Sequence, residues 1–183
     1  MDDLLNMLLK HVFYKFACVV GLASYMERLS EQRRREFLIN AYVLAARGVV
    51  QRANEWTLFR DRQPVEHVFE DDDEGKGLLM RRLEIEGLPR PRFRWAVDRP
   101  HEKTGIMIPG FTPLQGADIY AYETLRFAQK WAERGNLKSD VLRELDQIQG
   151  EPLAFSAEDL AQLSQWIERS GSDPTFWERH RSL

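Results

Sequence analysis

Two acidic side chains lie where a fold can bring them together for chemistry, and the first is Asp118. It falls in the first turns of an otherwise apolar helix predicted over Pro113–Arg134, with Gln115 three residues before it and Tyr122 four residues after. In a helix these three side chains share one side. An acid beside an apolar stripe is usually paired, hydrogen-bonded or bound to a metal ion, because burying a bare carboxylate is unfavourable.

The second acid, Glu70, ends an apolar run, Val65–Glu70, that is typical of a β-strand. Further acids follow it directly: Asp71, Asp72, Asp73 and Glu74. A strand-end acid facing a helix acid can hold a divalent cation, since carboxylate oxygens are the ligands that Mg²⁺ prefers. The alternatives are a hydrogen-bonded helix carboxylate at Asp118, a solvated strand end at Glu70, and later acids that stabilise the start of a helix near Gly75.

Composition is that of an ordinary folded protein. The 183 residues are enough for one domain with a core, and 43% hydrophobic with 30% charged residues argues against disorder. The net charge of −3 does not indicate a nucleic-acid binder overall, although a local patch could bind. Cys18, the single cysteine, lies in an apolar run and is expected in the core, so no internal disulfide forms and a cytoplasmic location is expected. No apolar run of about 18 residues or more occurs, so no membrane span is predicted.

Predicted strands and helices alternate along the chain. Strands are expected at Val12–Leu22, Val65–Glu70 and Phe93–Val97, and helices at Asp2–Lys10, Glu31–Trp56, Gly75–Glu86, Pro113–Arg134, Ser139–Ile148 and Ala157–Ser170. This order is typical of an α/β fold, and connections of this length favour parallel strands. The first residues look like the tail of a helix, and an internal-looking strand follows almost at once.

Basic side chains gather around the loop and strand before the Asp118 helix. With Trp95 they could form a rim that contacts phosphates, and the alternative is a set of solvated surface arginines. The four histidines show no metal-ligand spacing. The candidate nucleic-acid-binding residues are therefore Arg90, Arg92, Arg94, Arg99 and Lys103.

Two blocks of the sequence, Pro64–Gly77 and Thr112–Glu123, resemble consecutive blocks of a known family. They read Pro-Val-Glu-His-Val-Phe-Glu-Asp-Asp-Asp-Glu-Gly-Lys-Gly and Thr-Pro-Leu-Gln-Gly-Ala-Asp-Ile-Tyr-Ala-Tyr-Glu. The chain thereby resembles the domain-of-unknown-function 3800 family, bacterial and phage proteins with a ribonuclease H-like fold. The step Lys138-Ser139 is similar too, and the resemblance covers roughly Phe13 to Leu142.

The resemblance implies a mixed sheet flanked by helices, in which residues 1–136 form a partial ribonuclease H-like domain and residues 137–183 a helical C-terminal extension. That family opens with a strand carrying Asp-Glu-Ser-Gly, whose Asp joins the acidic cluster, and this chain contains no such sequence. We therefore expect the C-terminal part of a family member that lacks the first two strands. The open sheet edge would then pair with a missing N-terminal segment or with a second copy.

The chemistry that the resemblance implies is metal-assisted phosphodiester hydrolysis with Mg²⁺ or Mn²⁺. Glu70 would be the strand-end ligand and Asp118 the helix ligand. Asp71 and Asp72 lie close enough in sequence to assist, and Gln115 would orient water or a ligand. Two alternatives stay open because the first acid is absent: a non-catalytic remnant that binds nucleic acid or protein, and a structural partner that completes its sheet with another chain. Defence against phage or mobile DNA rests on analogy, and neither DNA nor RNA is favoured.

Overall fold

The computed structural model describes residues 2–36, 39–60, 65–71, 75–134 and 138–170. Eight helices and six strands lie within these ranges. In chain order the elements are α1 (Asp2–His11), β1 (Lys15–Val20), α2 (Leu22–Arg28), α3 (Glu31–Glu36), α4 (Ala41–Phe59), β2 (Val68–Glu70), α5 (Lys76–Ile85), β3 (Arg92–Arg94), β4 (Arg99–Pro100), β5 (Met107–Ile108), α6 (Thr112–Arg134), α7 (Asp140–Leu145), β6 (Gly150–Phe155) and α8 (Ala157–Ser170).

The fold is mixed α/β with helix in the majority, at about 58% of the residues. Within the described ranges the strands form three two-stranded sheets: β1 with β6, β2 with β3, and β4 with β5. The β4–β5 pair is antiparallel, with Arg99 opposite Ile108. At the two ends of the β2–β3 pair, Arg92 N donates to His67 O and Asp71 N to Arg94 O. These bonds advance in the same direction along both strands, which is the parallel arrangement.

Two compact units share the chain, and each is assembled from separated segments. Among the described residues, the first unit contains those up to Ala17, Val68–Asp71 and those from Phe93 to Pro152, and the remainder form the second unit. The predicted division into residues 1–136 and 137–183 follows the resemblance rather than these contacts, and it stays a prediction.

In the first unit, α1 and α6 pack on α7 and on each other. Their contact is close because an added Cβ at Gly116 would lie 2.4 Å from Leu8 Cδ2. The buried apolar side chains there include Leu114, Leu142 and Leu145. Burial of such side chains stabilises the unit by about 1.5–3 kcal/mol each.

In the second unit, α2 packs on α8 and α4 on α5. Glu86 is 6% exposed and binds Arg47 Nε at 2.7 Å and Arg82 Nε at 2.5 Å, which ties α4 to α5. Arg82 is therefore a buried structural side chain and does not belong to a surface phosphate rim.

The helix predicted over Glu31–Trp56 is two helices, α3 and α4, and that prediction was wrong. Asn40 has extended backbone angles (φ −118°, ψ 175°), and its side-chain oxygen accepts a hydrogen bond from Val43 N at 2.7 Å. This is the geometry of a helix N-cap, which satisfies an amide that has no partner within the helix. The phenol of Tyr25 donates to the Ile39 carbonyl at 3.0 Å, so the break between the helices is anchored.

Strand β6 was not expected, because Gly150 and Pro152 are more typical of a loop than of a strand interior. It pairs with β1, and an added Cβ at Gly150 would lie 2.4 Å from the Lys15 carbonyl oxygen. Glycine is therefore required by the close approach of the two backbones. Helix α8 matches its predicted bounds, and Ser156 caps it: Ser156 Oγ accepts from Asp159 N, and Ser156 N donates to Asp159 Oδ2.

None of the helices within the described ranges has the length and apolar character needed to cross a lipid bilayer.

Candidate functional site

Glu70 is the last residue of β2, as the sequence predicts for the end of that strand. Its side chain is half-buried, and Oε1 accepts a hydrogen bond from the backbone N–H of Ala96 at 3.1 Å. Ala96 itself is 7% exposed and follows β3 in the chain. The carboxylate is thus held at the strand end by a backbone donor, which fixes its position and still leaves it capacity to accept further bonds.

Gln115 lies in the first turn of α6 and binds the carbonyl group of Ala96. Its Nε2 donates to the Ala96 carbonyl at 2.9 Å. Ala96 therefore connects the end of β2 to the start of α6 through hydrogen bonds on both its amide and its carbonyl. Gln115 consequently positions the backbone that holds Glu70, and this gives the residue a structural task that the sequence did not predict.

Asp118 follows three residues later on the same side of α6 and is solvent-exposed. Its pKa is raised above the usual value, first by partial desolvation and second by the negative charge of Glu70. A shift caused by Glu70 requires that the two carboxylates lie near each other. The structure therefore brings together the strand-end acid and the helix acid, which are 48 residues apart in the sequence.

The loop that carries Ala96 is clamped against the start of α6. Phe111 N donates to Trp95 O at 2.7 Å, and Gly110 N donates to Asp98 Oδ1 at 2.7 Å. An added Cβ at Gly110 would lie 2.6 Å from the Val97 carbonyl carbon, so the two segments pass too closely for a side chain there. This clamp keeps the backbone donor of Glu70 in place.

The side of α6 that bears Asp118 is open. Of the predicted apolar stripe, Leu114 is buried, whereas Ala117 and Ala121 are exposed and Leu125 is 53% exposed. Tyr122 is 62% exposed. The expectation that Asp118 borders a buried stripe was wrong, because Ala117, Ala121 and Leu125 are exposed. A carboxylate on an open surface is available to a dissolved ion or ligand.

Of the acids that follow Glu70, the structure describes Asp71 alone. Asp71 is half-buried and its N–H pairs with Arg94 O, while Asp72 lies outside the described residues. Helix α5 begins after Gly75, which has no side chain to cap it. Among the described residues, no group of three or more His, Cys, Asp or Glu side chains is arranged to hold a metal ion. The acid pair alone suits a single divalent cation, because Mg²⁺ is commonly held by one or two carboxylates, with water and phosphate oxygens completing its shell.

The predicted basic rim is divided between the two units. Arg94, Arg99 and Lys103 lie in the first unit with the acid pair, whereas Arg90 and Arg92 lie in the second. The Arg99 guanidinium lies 5.2 Å from the centre of the Trp95 ring, a cation–π contact that orients it. Arg94 and Lys103 are exposed. Arg90 and Arg92 are also exposed, and Arg92 forms an ion pair with Glu66.

The Lys138-Ser139 step has a structural task in this fold. Ser139 caps α7 by accepting from Leu142 N at 3.1 Å, and its hydroxyl donates to Glu123, which is 8% exposed. Lys138 and Lys15 both bind the carboxylate of Asp146, which lowers its pKa against the effect of desolvation. These contacts hold α6, α7 and the start of β1 together, and they are not catalytic in character.

Comparisons with known protein families, curated proteins and solved structures found no match for this chain.

Proposed function

We propose that this chain carries the strand-end and helix carboxylates of a divalent-metal-dependent nuclease with a ribonuclease H-like fold. Glu70 and Asp118 are the proposed ligands of Mg²⁺ or Mn²⁺. The observation that carries the proposal is the contact between β2 and α6, which brings the half-buried Glu70 and the exposed Asp118 close enough for the charge of Glu70 to raise the pKa of Asp118. Among the described residues, neither carboxylate forms an ion pair with a basic side chain, so no cation in that part of the chain offsets their repulsion.

A bound divalent cation would relieve that repulsion and would neutralise charge that develops on a phosphodiester during hydrolysis. The chain's own contribution is positional. The Ala96 amide orients Glu70, Gln115 holds Ala96, and the first turns of α6 present Asp118 beside them. Asp71 and Asp72 stay proposed as assisting ligands.

A cleavage assay tests this proposal. The purified chain is incubated with labelled single- and double-stranded DNA and RNA in Mg²⁺ or Mn²⁺, and the variants are Asp118→Asn, Glu70→Gln and the control Asp140→Asn. Asp140 is 93% exposed and pairs with Arg143 on α7, so its change leaves the acid pair intact. We expect cleavage by the parent chain and the control and at least a 100-fold loss in the two site variants, since removing a preorganised electrostatic group costs about 10²–10³ in rate. Equal cleavage by Asp118→Asn contradicts the assignment.

A second candidate function is nucleic-acid or protein binding without cleavage. It is favoured by the absence of a third metal ligand among the described residues, because most nuclease sites use more than two carboxylates. Salt-dependent binding of an oligonucleotide, with no cleavage in any divalent metal, is the result that would select it.

A reducing compartment such as the cytoplasm fits the single cysteine. Burial raises the pKa of the Cys18 thiol to about 11, so it stays protonated and unreactive near neutral pH.

A further inference from the structure

The hairpin Arg99–Ile108 projects from the loop that holds Glu70. Strands β4 and β5 form its stem, His101 N donates to Ile106 O at 2.8 Å, and Gly105 N donates to His101 O at 2.8 Å. Gly105 has a φ of +67°, a left-handed conformation that glycine adopts without strain. The turn is therefore well specified although it is exposed.

The hairpin combines positive charge with apolar side chains in water. Arg99 and Lys103 are its cations, and the acid beside them in the turn is Glu102. Ile106 is 68% exposed and Met107 is 57% exposed. Exposed apolar side chains of this size are unfavourable in water, and because successive residues of an extended strand face opposite sides, each face of the hairpin presents one of them.

Both ends of the hairpin are fixed at the acid pair. Its first strand starts three residues after Ala96, the backbone donor of Glu70, and its second strand leads through Phe111 into α6, which bears Asp118. Lys103 is seven residues from Ala96, so at about 3.3 Å per residue an extended chain places it at most roughly 23 Å from the backbone donor of Glu70. That length matches a few nucleotides of an extended strand.

We propose that this hairpin clamps a single-stranded or locally opened nucleic acid beside the acid pair. Arg99 and Lys103 contact phosphates, while Ile106 and Met107 pack against the faces of unstacked bases. In a closed duplex the base faces are stacked, so the apolar pair reaches them only by unstacking a base step, whereas a single strand presents its base faces without that cost. This inference rests on the proposed function for its substrate class and adds the form of the strand that the site accepts.

Fluorescence anisotropy on the full chain in EDTA tests the proposal independently of cleavage. The probes are labelled single-stranded DNA and RNA oligonucleotides and a matched duplex. The variants are Ile106→Ser/Met107→Ser and Lys103→Ala, with Leu58→Ser/Phe59→Ser as control, because those two side chains are 80% and 91% exposed on the second unit. Circular dichroism melts verify that each variant is folded.

We expect tighter binding of the single strands than of the duplex, and about a 10-fold loss in the hairpin double variant, in line with the loss of one base contact. The Lys103→Ala variant should lower the slope of log affinity against log salt by about 0.7. The control variant should bind as the parent chain does. Equal binding by the parent chain and the hairpin variants overturns the proposal, and so does equal affinity for the duplex and the single strand. The proposal also falls if the parent chain binds no oligonucleotide and the hairpin change instead abolishes its self-association.

Together, the cleavage and binding assays distinguish a failure of the nuclease proposal from a failure of the hairpin proposal. If the hairpin variants lose binding while no metal supports cleavage, the hairpin proposal is supported and the nuclease proposal is contradicted. If Asp118→Asn abolishes cleavage while the hairpin variants bind and cleave single strands normally, the nuclease proposal is supported and the hairpin proposal is contradicted.

Discussion

At the scale of single residues, the acid pair is a strained electrostatic arrangement that a purely structural site would avoid. Glu70 takes a backbone donor from Ala96, and Asp118 lies exposed nearby with a raised pKa. Two like charges that lie near each other disfavour the folded state slightly. A cation is the simplest partner for them, and this is why the pair, rather than either acid alone, supports the functional proposal.

The raised pKa of Asp118 makes a prediction about pH. The folded state holds this proton more tightly than the unfolded chain does, so the stabilising contribution is full below the usual pKa of 3.8 and is lost as pH rises through the raised value. In metal-free buffer at pH 7, Asp118→Asn should therefore be more stable than the parent chain, by about 0.5 kcal/mol or less because the pair is screened by solvent.

Urea denaturation at pH 7 and at a pH below 3.8 measures this difference, which should vanish at the lower pH. The exposed Asp140→Asn change serves as the reference. An Asp118→Asn variant that is less stable than the parent at pH 7 would show that the two charges do not repel.

At the scale of elements, the sequence predicts most helices because their periodicity and caps are local. Helix α6 begins within one residue of its predicted start, and α8 has its predicted bounds. The break between α3 and α4 was missed because Asn40 was read as one polar position within a helix, whereas its side chain caps the second helix. Strand β6 was missed because its pairing with β1 depends on a distant segment that local sequence does not reveal.

The sequence singles out Glu70 and Asp118, but it does not predict the backbone contacts through Ala96 that join their elements. Glu70 and Asp118 stand out by type and position, and the resemblance to a family singled out the same two. The Ala96 peptide that joins their elements leaves no signal in the sequence, since every residue except proline carries the same N–H donor and carbonyl acceptor. The open side of α6 also could not be foreseen, because an apolar stripe in a sequence does not show what packs on it.

Two glycine substitutions distinguish the close contact between Gly110 and the Val97 backbone from the general effect of glycine on helix stability. Gly110→Ala would place a methyl group 2.6 Å from the Val97 backbone, so the loop must shift, and we expect a loss of more than about 1 kcal/mol together with weaker cleavage. Gly77→Ala in α5 meets no atom within 4 Å and should stabilise by about 0.5–1 kcal/mol. Thermal unfolding and cleavage of both variants check this pair, and a neutral Gly110→Ala would contradict the close approach.

At the scale of the whole molecule, most residues of the proposed site belong to one unit. Glu70, Gln115, Asp118 and the hairpin all belong to the first unit, whereas Arg90 and Arg92 belong to the second. The first unit also exposes apolar side chains of α6, including Tyr122 and Leu125. An apolar helix side in water favours association with a second copy of the chain.

We therefore expect the purified chain to self-associate as its concentration rises. Leu125 is 53% exposed, so Leu125→Glu should weaken association with little effect on the melting temperature, and Leu58→Glu on the second unit is the matched control. Sedimentation velocity over a range of concentrations measures the effect. A parent chain that stays monomeric throughout would remove the idea of an unsatisfied helix side.

The most direct test of the central claim, that Glu70 and Asp118 hold a divalent cation, is Mn²⁺ binding measured by electron paramagnetic resonance on the full chain. The prediction is one Mn²⁺ per chain, displaced by Mg²⁺, lost in Asp118→Asn and in Glu70→Gln, and retained in Asp140→Asn. Binding that survives in both site variants, or no binding by the parent chain, would contradict the claim.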